Sequence, residues 1–359
     1  MQDILSNIAR FDQCRIAVIG DLMLDEYLWG HIERISPEAP VPILNVIRRE
    51  SMLGGAGNVV ENLRCLGVRV RVFGVVGHDE TGEQVRSLLK SHGANLTGVV
   101  SDPNRRSTRK GRLMSLEHGQ QVFRLDEEST RPVHGEIEDR LINLILTEAA
   151  DAQAIICSDY IKGVLTEPVL GAAFSVARGG GIPSIVAPKD SNPHKYRGAS
   201  ILMPNSRELA QLVGARVDGN DWLNDSARRS IEELGLGALL VTRGSEGMSL
   251  FENVEGNVRR VDIPTKARSV YDVTGAGDTA IAAFAAALAS GSDRESAAHL
   301  ANFAAGIKVG KRGTAGVTST ELKEYIREED GRRQELQNGV GPRSVPRVVE
   351  IAAGRTGVF

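Results

Sequence analysis

The stretch Asp272-Val273-Thr274-Gly275-Ala276-Gly277-Asp278-Thr279, followed by the small-residue run Ala280–Ala289, gathers groups that could handle a reactive anion. Gly275 and Gly277 permit a tight bend in which several backbone N–H groups converge on one oxyanion. The Ala-rich segment begins a helix at that point, and its N-terminal dipole also favours negative charge. Asp278, at the edge of this hole, is placed to take a proton from an attacking hydroxyl. An N-capping aspartate on a glycine-rich turn would account for either feature alone. It would not account for Asp272, Thr274 and Asp278 bracketing two glycines ahead of a helix with few bulky side chains.

Two earlier stretches carry weaker signals. In Gly20-Asp21-Leu22-Met23-Leu24-Asp25 two carboxylates four residues apart could accept hydrogen bonds from the hydroxyls of a polyol. An N-cap followed by a surface acid explains them equally well. In Leu53-Gly54-Gly55-Ala56-Gly57-Asn58 the glycines allow close backbone approach by a ligand, and Asn58 offers both a donor and an acceptor. A Gly-rich loop ahead of a helix is unspecific by itself.

The elements that must position these groups are those of an α/β protein. Val- and Ile-rich runs at Arg15–Gly20, Val68–Gly77, Ala154–Ser158, Ser184–Val186, Ile201–Met203 and Ala238–Thr242 read as buried strands. Helical periodicity marks Gly82–His92, Glu136–Ala149, Pro168–Arg178, Arg207–Val213 and Asn224–Leu234. This alternation implies a parallel sheet with right-handed crossovers, helices on both faces and ligands at the carboxyl ends of the strands. Residues 33–50 and 107–125 break the pattern; rich in β-formers, with a hairpin turn at Glu117–Gln120, they are expected to form a small projecting sheet, a lid.

Composition narrows the class. The 359 residues, 41% hydrophobic and 25% charged, suit a globular chain of one large domain, expected over 1–318, with a charged helix and tail over 319–359. A formal charge of −3 gives no reason to invoke nucleic acid or an anionic membrane. Cys14, Cys65 and Cys157 lack disulfide or zinc spacing, and no leader or membrane-length apolar run is evident, so a cytoplasmic location is expected. Trp29 and Trp222 read as packing residues.

Taken together, the GG-x-x-N stretch at Gly54–Asn58 and the DxxGAGD stretch at Asp272–Asp278 resemble the two signatures of the ribokinase-like (PfkB) sugar kinases, over about residues 15 to 317. Within that family the chain is most similar to the D-glycero-β-D-manno-heptose 7-phosphate kinases of lipopolysaccharide-core precursor synthesis. The closer likeness rests on Arg34–Pro42, Arg124-Leu125-Asp126, Ser158–Gly163 and Tyr196–Ala199. Bifunctional relatives add a nucleotidylyltransferase domain with an HxGH motif; none of the seven histidines here stands in one, so the stand-alone kinase is the expectation.

The resemblance implies a ribokinase-like parallel-sheet sandwich that uses ATP and Mg²⁺. Asp278 would be the base, and Gly275, Ala276 and Gly277 would form the anion hole. Asp21, Asp25, Gly54, Gly55 and Asn58 would hold the sugar, while Arg124, Lys162 and Lys189 are candidates for its phosphate, Lys162 foremost. For each of these cations a solvated surface charge is the alternative. On the nucleotide side, Asn205 and Glu208 match an NxxE motif in which the carboxylate organises Mg²⁺ through water, although an N-cap explains them as well locally. Thr242, Gly244 and Gly247 would border the phosphates, and Asn302 with Ala305 the adenine. Some relatives bind a monovalent cation such as K⁺ near positions matching Asp272 and Thr274.

One position departs from the pattern: Ala187 stands where the heptose kinases carry the Asp of Asp-Pro-Lys. Alanine cannot accept from a hydroxyl or orient a lysine, which keeps open another sugar or nucleoside, or a catalytically weak sugar-phosphate sensor. Exposed apolar lid residues such as Val41, Ile43 and Val46 would pair two lids into a homodimer.

Overall fold

The computed structural model describes residues 2–117, 119–217, 221–267, 270–311 and 316–337; His118 of the expected hairpin turn and the expected tail from 339 lie outside the described residues. The N-terminal half runs α1 (Gln2–Ile8), β1 (Arg15–Gly20), β2 (Leu22–Ile35), β3 (Pro42–Gly55), α2 (Ala56–Cys65), β4 (Arg69–Gly77), α3 (Glu80–Ser91) and β5 (Asn95–Asp102). Next come β6 (Thr108–Ser115), β7 (Gln121–Glu127), α4 (Glu136–Glu148), β8 (Ala154–Ser158), α5 (Glu167–Gly180), β9 (Ser184–Ala187), β10 (Ile201–Leu202) and α6 (Ser206–Val213). The remainder is α7 (Trp222–Leu234), β11 (Ala238–Thr242), β12 (Met248–Val254), β13 (Asn257–Ile263), α8 (Ala276–Ala289), α9 (Arg294–Val309) and α10 (Ser319–Gln337).

Nine strands form the main sheet in the order β13-β12-β11-β10-β9-β8-β1-β4-β5. From β11 to β5 all pairings are parallel, and the runs that form them are buried on both faces, which is why they read as continuous apolar segments. The sheet reverses its winding at β1, whose neighbours are β8 and β4, so a crevice opens beyond its carboxyl end. Helices α1, α2, α3, α8, α9 and α10 cover one face and α4 to α7 the other.

Helix α8 lies deepest. Its Ala280, Ala282, Ala283, Ala285, Ala286 and Ala287 are at most 1% exposed. Methyl-sized side chains let its backbone pack closely on α2, α9 and the strands β1, β8 and β9 at once.

The lid is a second, four-stranded sheet in the order β3-β2-β6-β7. It is longer than the sequence suggests, because β2 starts at Leu22, one residue after β1 ends, and β3 continues to Gly55. The root of the lid is buried against the core, so Leu22–Leu24 and Leu53–Gly55 lack the apolar–polar alternation that marks a half-exposed strand. At one end of the sheet β12 and β13 pair antiparallel, a departure from the all-parallel expectation; their polar stretch Glu252–Arg260 conceals the strand pattern. The expected boundary at 318 does not separate one core from another, since Leu322 and Ile326 of α10 are fully buried in the same core, where α10 packs on α9 and α1. Among the described residues no helix is long and apolar enough to cross a membrane.

Where β1, β8 and α2 converge, only glycine fits at position 20. A Cβ there would lie 2.2 Å from the Ser158 carbonyl oxygen and 3.1 Å from the Ala56 Cβ. Gly20→Ala is expected to lower stability by about 2 kcal/mol through overpacking, seen as a reduced urea midpoint at unchanged slope; an unchanged midpoint would show that the strand end yields.

Candidate active site

Five parallel strands end at one crevice. Asp21 follows β1, Tyr160 lies just beyond β8, Ala187 ends β9 with Lys189 after it, Asn205 follows β10, and Thr242 ends β11. The N-terminus of α8 faces these ends, capped by Gly275 in the left-handed region at φ 74°. A helix start leaves N–H groups without intrahelical acceptors. That of Ala276 turns back to the Val273 carbonyl (3.2 Å), so the amides of Gly277 and Asp278, which line the cleft, are the ones this turn leaves for an anion.

Asp278 is fixed from two sides. Asn58 Nδ2 donates to its Oδ2 (2.6 Å) and the Tyr160 hydroxyl to its Oδ1 (3.0 Å). Each carboxylate oxygen keeps a second lone pair for an incoming hydroxyl. Burial pushes the Asp278 carboxyl up to about 6, although Tyr160, Asn58 and the charge of Lys189 pull against it. Tyr160 is pushed up by its own burial and by Asp278, so it remains a neutral donor. Asn58 is held in turn by Asn62, whose Nδ2 donates to the Asn58 carbonyl oxygen (2.8 Å) and side-chain oxygen (3.2 Å) and whose Oδ1 accepts from Thr279 (2.7 Å). Sequence reasoning missed Tyr160 and Asn62 as site residues; the i, i+4 spacing of Asn58 and Asn62 on one helix face was the available signal.

Asp21 does not reach the sugar side as expected. It is 1% exposed, and its oxygens accept from the backbone N–H groups of Tyr160 (2.7 Å), Lys162 (3.0 Å) and Val164 (3.1 Å). It shapes the turn that presents Tyr160. That turn holds Ile161 at φ 57°, a conformation a β-branched residue rarely adopts. Asp159 adds a bond from Ile161 N–H (2.9 Å) and is itself fixed by Lys195 (2.6 Å) and the Tyr196 hydroxyl (2.8 Å).

On one side of Asp278 lie two adjoining cavities that share Thr242 and Gly277. The outer, of about 280 Å³, is lined by Gly244, Ser245, Gly247, Asn302 and Ala305 among others. Asn302 spends its amide on the Pro264 carbonyl (2.8 Å) and so positions the wall segment at 264. The inner cavity, of about 250 Å³, holds Tyr160, Ala187, Lys189, Asn205, Glu208 and Asp278. Asn205 and Glu208 form a capping box on α6, and Glu208 also pairs with Lys189, whose ammonium lies 5.5 Å from the Tyr160 ring centre. Lys189 therefore lines this cavity with Glu208, apart from Arg124 and Lys162, with which the sequence grouped it. Glu208 is a single carboxylate, and among the described residues no three acidic, histidine or cysteine side chains converge; this donor set fits magnesium held through water. An added monovalent cation fits poorly. Asp272 Oδ1 already accepts from Thr274 N–H (2.9 Å), and the buried side chain of Lys308 lies against Gly275, giving this place a cation of its own.

On the other side lies the inner face of the lid. Register places Asp25 beside Lys110 and Asp126, and Tyr27 beside Arg112 and Arg124. Asp25 pairs with Arg112 (2.8 Å), which stacks on Tyr27 at 5.1 Å. A Cβ on Gly54 would meet the Asp25 carboxylate at 2.8 Å, and Gly55, at φ 56°, would drive one into the Asp21 carbonyl at 2.5 Å. These glycines thus let β3 close over Asp25. Arg124 pairs with Asp126 (3.0 Å) and Lys162 with Glu128 (2.7 Å). Lys110 and Arg112 were missed in the sequence, where Thr108–Ser115 reads only as strand. Lys110 is in no ion pair among the described residues, and burial together with the charge of Lys162 pushes its pKa down.

The model of the pfkB family of carbohydrate kinases matches residues 14–321. The chain is 47% identical over 321 residues to a protein named "Bifunctional protein HldE" from Geotalea uraniireducens, covering 89% of this chain and 64% of that protein. A namesake from Geobacter metallireducens is 47% identical over 305 residues, covering 85% and 61%. The chain thus spans less than two thirds of these curated relatives. Among solved structures, Arabidopsis thaliana ribokinase complexed with ribose and ATP superposes with a TM-score of 0.70 at 20% identity, covering 88% of this chain and 99% of that one. Escherichia coli phosphofructokinase-2 in complex with potassium gives 0.74 at 19%, with the same coverage. These likenesses show the ribokinase-like fold, and with the family match they establish that the chain belongs to the pfkB family of carbohydrate kinases.

Proposed function

We propose that this sugar kinase transfers the γ-phosphoryl group of ATP to a sugar that already carries a phosphate, namely D-glycero-β-D-manno-heptose 7-phosphate, giving the 1,7-bisphosphate in lipopolysaccharide-core precursor synthesis. The observation that carries this reading is the place of Asp278, between a two-chambered cavity on the core and a lid face bearing Lys110, Arg112 and Arg124, with Lys162 in the turn beyond β8. Lys110 and Lys162 repel each other, and an anion between them would relieve that repulsion. The heptose assignment is supported by Arg34–Pro42, Ser158–Gly163 and Tyr196–Ala199, and by the relatives named HldE.

In the mechanism, Asp25 and Asn58 hold the sugar while Asp278 takes the proton of the attacking hydroxyl. The hydroxyl oxygen bonds to the γ-phosphorus as its bond to the β,γ-bridging oxygen breaks, and that oxygen leaves with ADP. The Gly277 and Asp278 amides and Lys189 face the transferring group. Magnesium, held through water by Glu208, would supply charge neutralisation for the phosphates when bound. Thr242, Gly244 and Gly247 border the nucleotide phosphates, with Asn302 and Ala305 at the base. Closure of the lid would keep water from competing for ATP. ATP as donor and three free cysteines favour a cytoplasmic site of action.

The opposite face of the lid carries Leu28, Leu113 and Phe123 in register, with Leu125 two residues on along β7; Phe123 and Leu125 are 61% and 49% exposed. Such a patch supports a homodimer formed lid to lid.

Three outcomes test these assignments. Asp278→Asn should keep nucleotide binding and lose roughly 10²- to 10⁴-fold in kcat against the heptose phosphate in a coupled ADP-release assay. Because the base acts unprotonated, activity should fall as pH drops through about 6, not through the ordinary aspartate range; an acid limb below pH 5, or a fully active Asn variant, would remove Asp278 from the role. Lys110→Met should raise KM for the phosphorylated sugar about tenfold or more and leave KM for ATP unchanged; equal use of the unphosphorylated sugar by the parent enzyme would overturn the substrate assignment. For the dimer, Phe123→Asp should shift the sedimentation coefficient from dimer to monomer at micromolar concentration, and a monomeric parent protein would refute it.

A further inference from the structure

Lys308 is an unusual place for a charge. It lies in the penultimate position of α9 and is 1% exposed, whereas lysines ordinarily carry their ammonium to water. Its side chain lies under the start of α8: a Cβ built on Gly275 would be 3.6 Å from Lys308 Cε and 2.9 Å from Asn58 Nδ2. The lysine and the asparagine that holds the base thus flank one glycine. Four charged groups act on it. Glu61 on α2, Asp272 ahead of the anion hole and Asp278 on α8 favour its ammonium form, while burial and Lys311 oppose it. Glu61 is itself pushed up by burial, with His92 and Lys308 acting against that.

A helix N-terminus offers about half a positive charge. Transfer of a phosphoryl group brings several negative oxygens to that point, and a full cation in a low-dielectric surround would add much to two amides. We propose that Lys308 supplies this charge: its buried ammonium backs the Gly275–Asp278 anion hole and takes the place that a monovalent cation from solution would otherwise fill. It is a positioning residue, acting on the transferring group through the helix start that it underlies. A chain-borne ammonium at this point is fixed and present at every salt composition, so phosphoryl transfer by this enzyme does not depend on which monovalent cation the buffer holds. This inference rests on the kinase reading above.

The test measures sugar-phosphate turnover in the chlorides of potassium, sodium and tetramethylammonium at equal ionic strength, for the parent chain, Lys308→Met and Lys308→Ala. The parent should run within about twofold in all three salts. Lys308→Met should lose about 10- to 100-fold in kcat with KM for ATP changed by less than about threefold, since the nucleotide cavity is untouched. Lys308→Ala should recover some of its rate on addition of ammonium or methylammonium chloride, which a merely structural role would not produce. A parent enzyme accelerated more than about fivefold by potassium overturns the inference, as does Lys308→Met at the parental kcat. The salt series uses the parent chain alone, so the inference stays decidable if a variant fails to fold. No turnover of any sugar phosphate by the parent would instead refute the kinase reading, a distinct result.

Discussion

Two hydrogen bonds hold the Asp278 carboxylate, from Asn58 on α2 and from Tyr160 beyond β8, and most of the molecule is arranged so that both can form. They need α8 to begin within a side chain's reach of two elements more than a hundred residues away in sequence. Only a helix with a methyl-sized surface can sit that close to the sheet while touching α2 and α9, and α8 is such a helix. Gly275 has to lack a Cβ for the same reason, because one would run into the Asn58 amide. The Asn62–Thr279 bond ties the two helices a turn further in, so the clasp on the base is supported from behind.

The turn that delivers Tyr160 illustrates how the cost of such a site is met. A β-branched residue in the left-handed region costs of order 1–3 kcal/mol. Against this, the Asp21 carboxylate receives three backbone bonds and Asp159 a fourth, which hold the turn closed. Burial of Asp21 and the neighbouring charge of Asp159 push the Asp21 carboxyl up, against the pull of those bonds, so the turn is kept at a cost in desolvation as well as in strain. Asp159 is secured by Lys195 and Tyr196, which explains why a stretch as remote as Tyr196–Ala199 belongs with the site residues.

Much of this was legible in the sequence, for identifiable reasons. The parallel strands showed because burial on both faces demands unbroken apolar runs, and Asp278, Gly277 and the Ala-rich helix showed because their residue types are constrained at consecutive positions. The reach of the lid did not show, since its root is buried and Asp25 and Glu26 sit mid-strand where acids usually signal a cap. Asp21 was assigned to the sugar because a carboxylate at a strand end suits either a ligand or a turn, and only the positions of the Tyr160, Lys162 and Val164 amides decide between them. Lys110 and Arg112 escaped notice because a strand pairing, β2 with β6, is what brings them beside Asp25. Lys308 escaped because nothing in a helical pattern tells a buried lysine from a solvated one.

The join between core and lid has a mechanical consequence. A single residue, Asp21, separates the last residue of β1 from the first of β2, so at this connection the lid joins the sheet without an intervening loop. Bending at this connection falls on the backbone around Asp21, the residue whose side chain clamps the Tyr160 turn. Load applied at the lid tip is thereby levered onto the support of the base, so that the sugar's grip and the proton acceptor's alignment share one fulcrum.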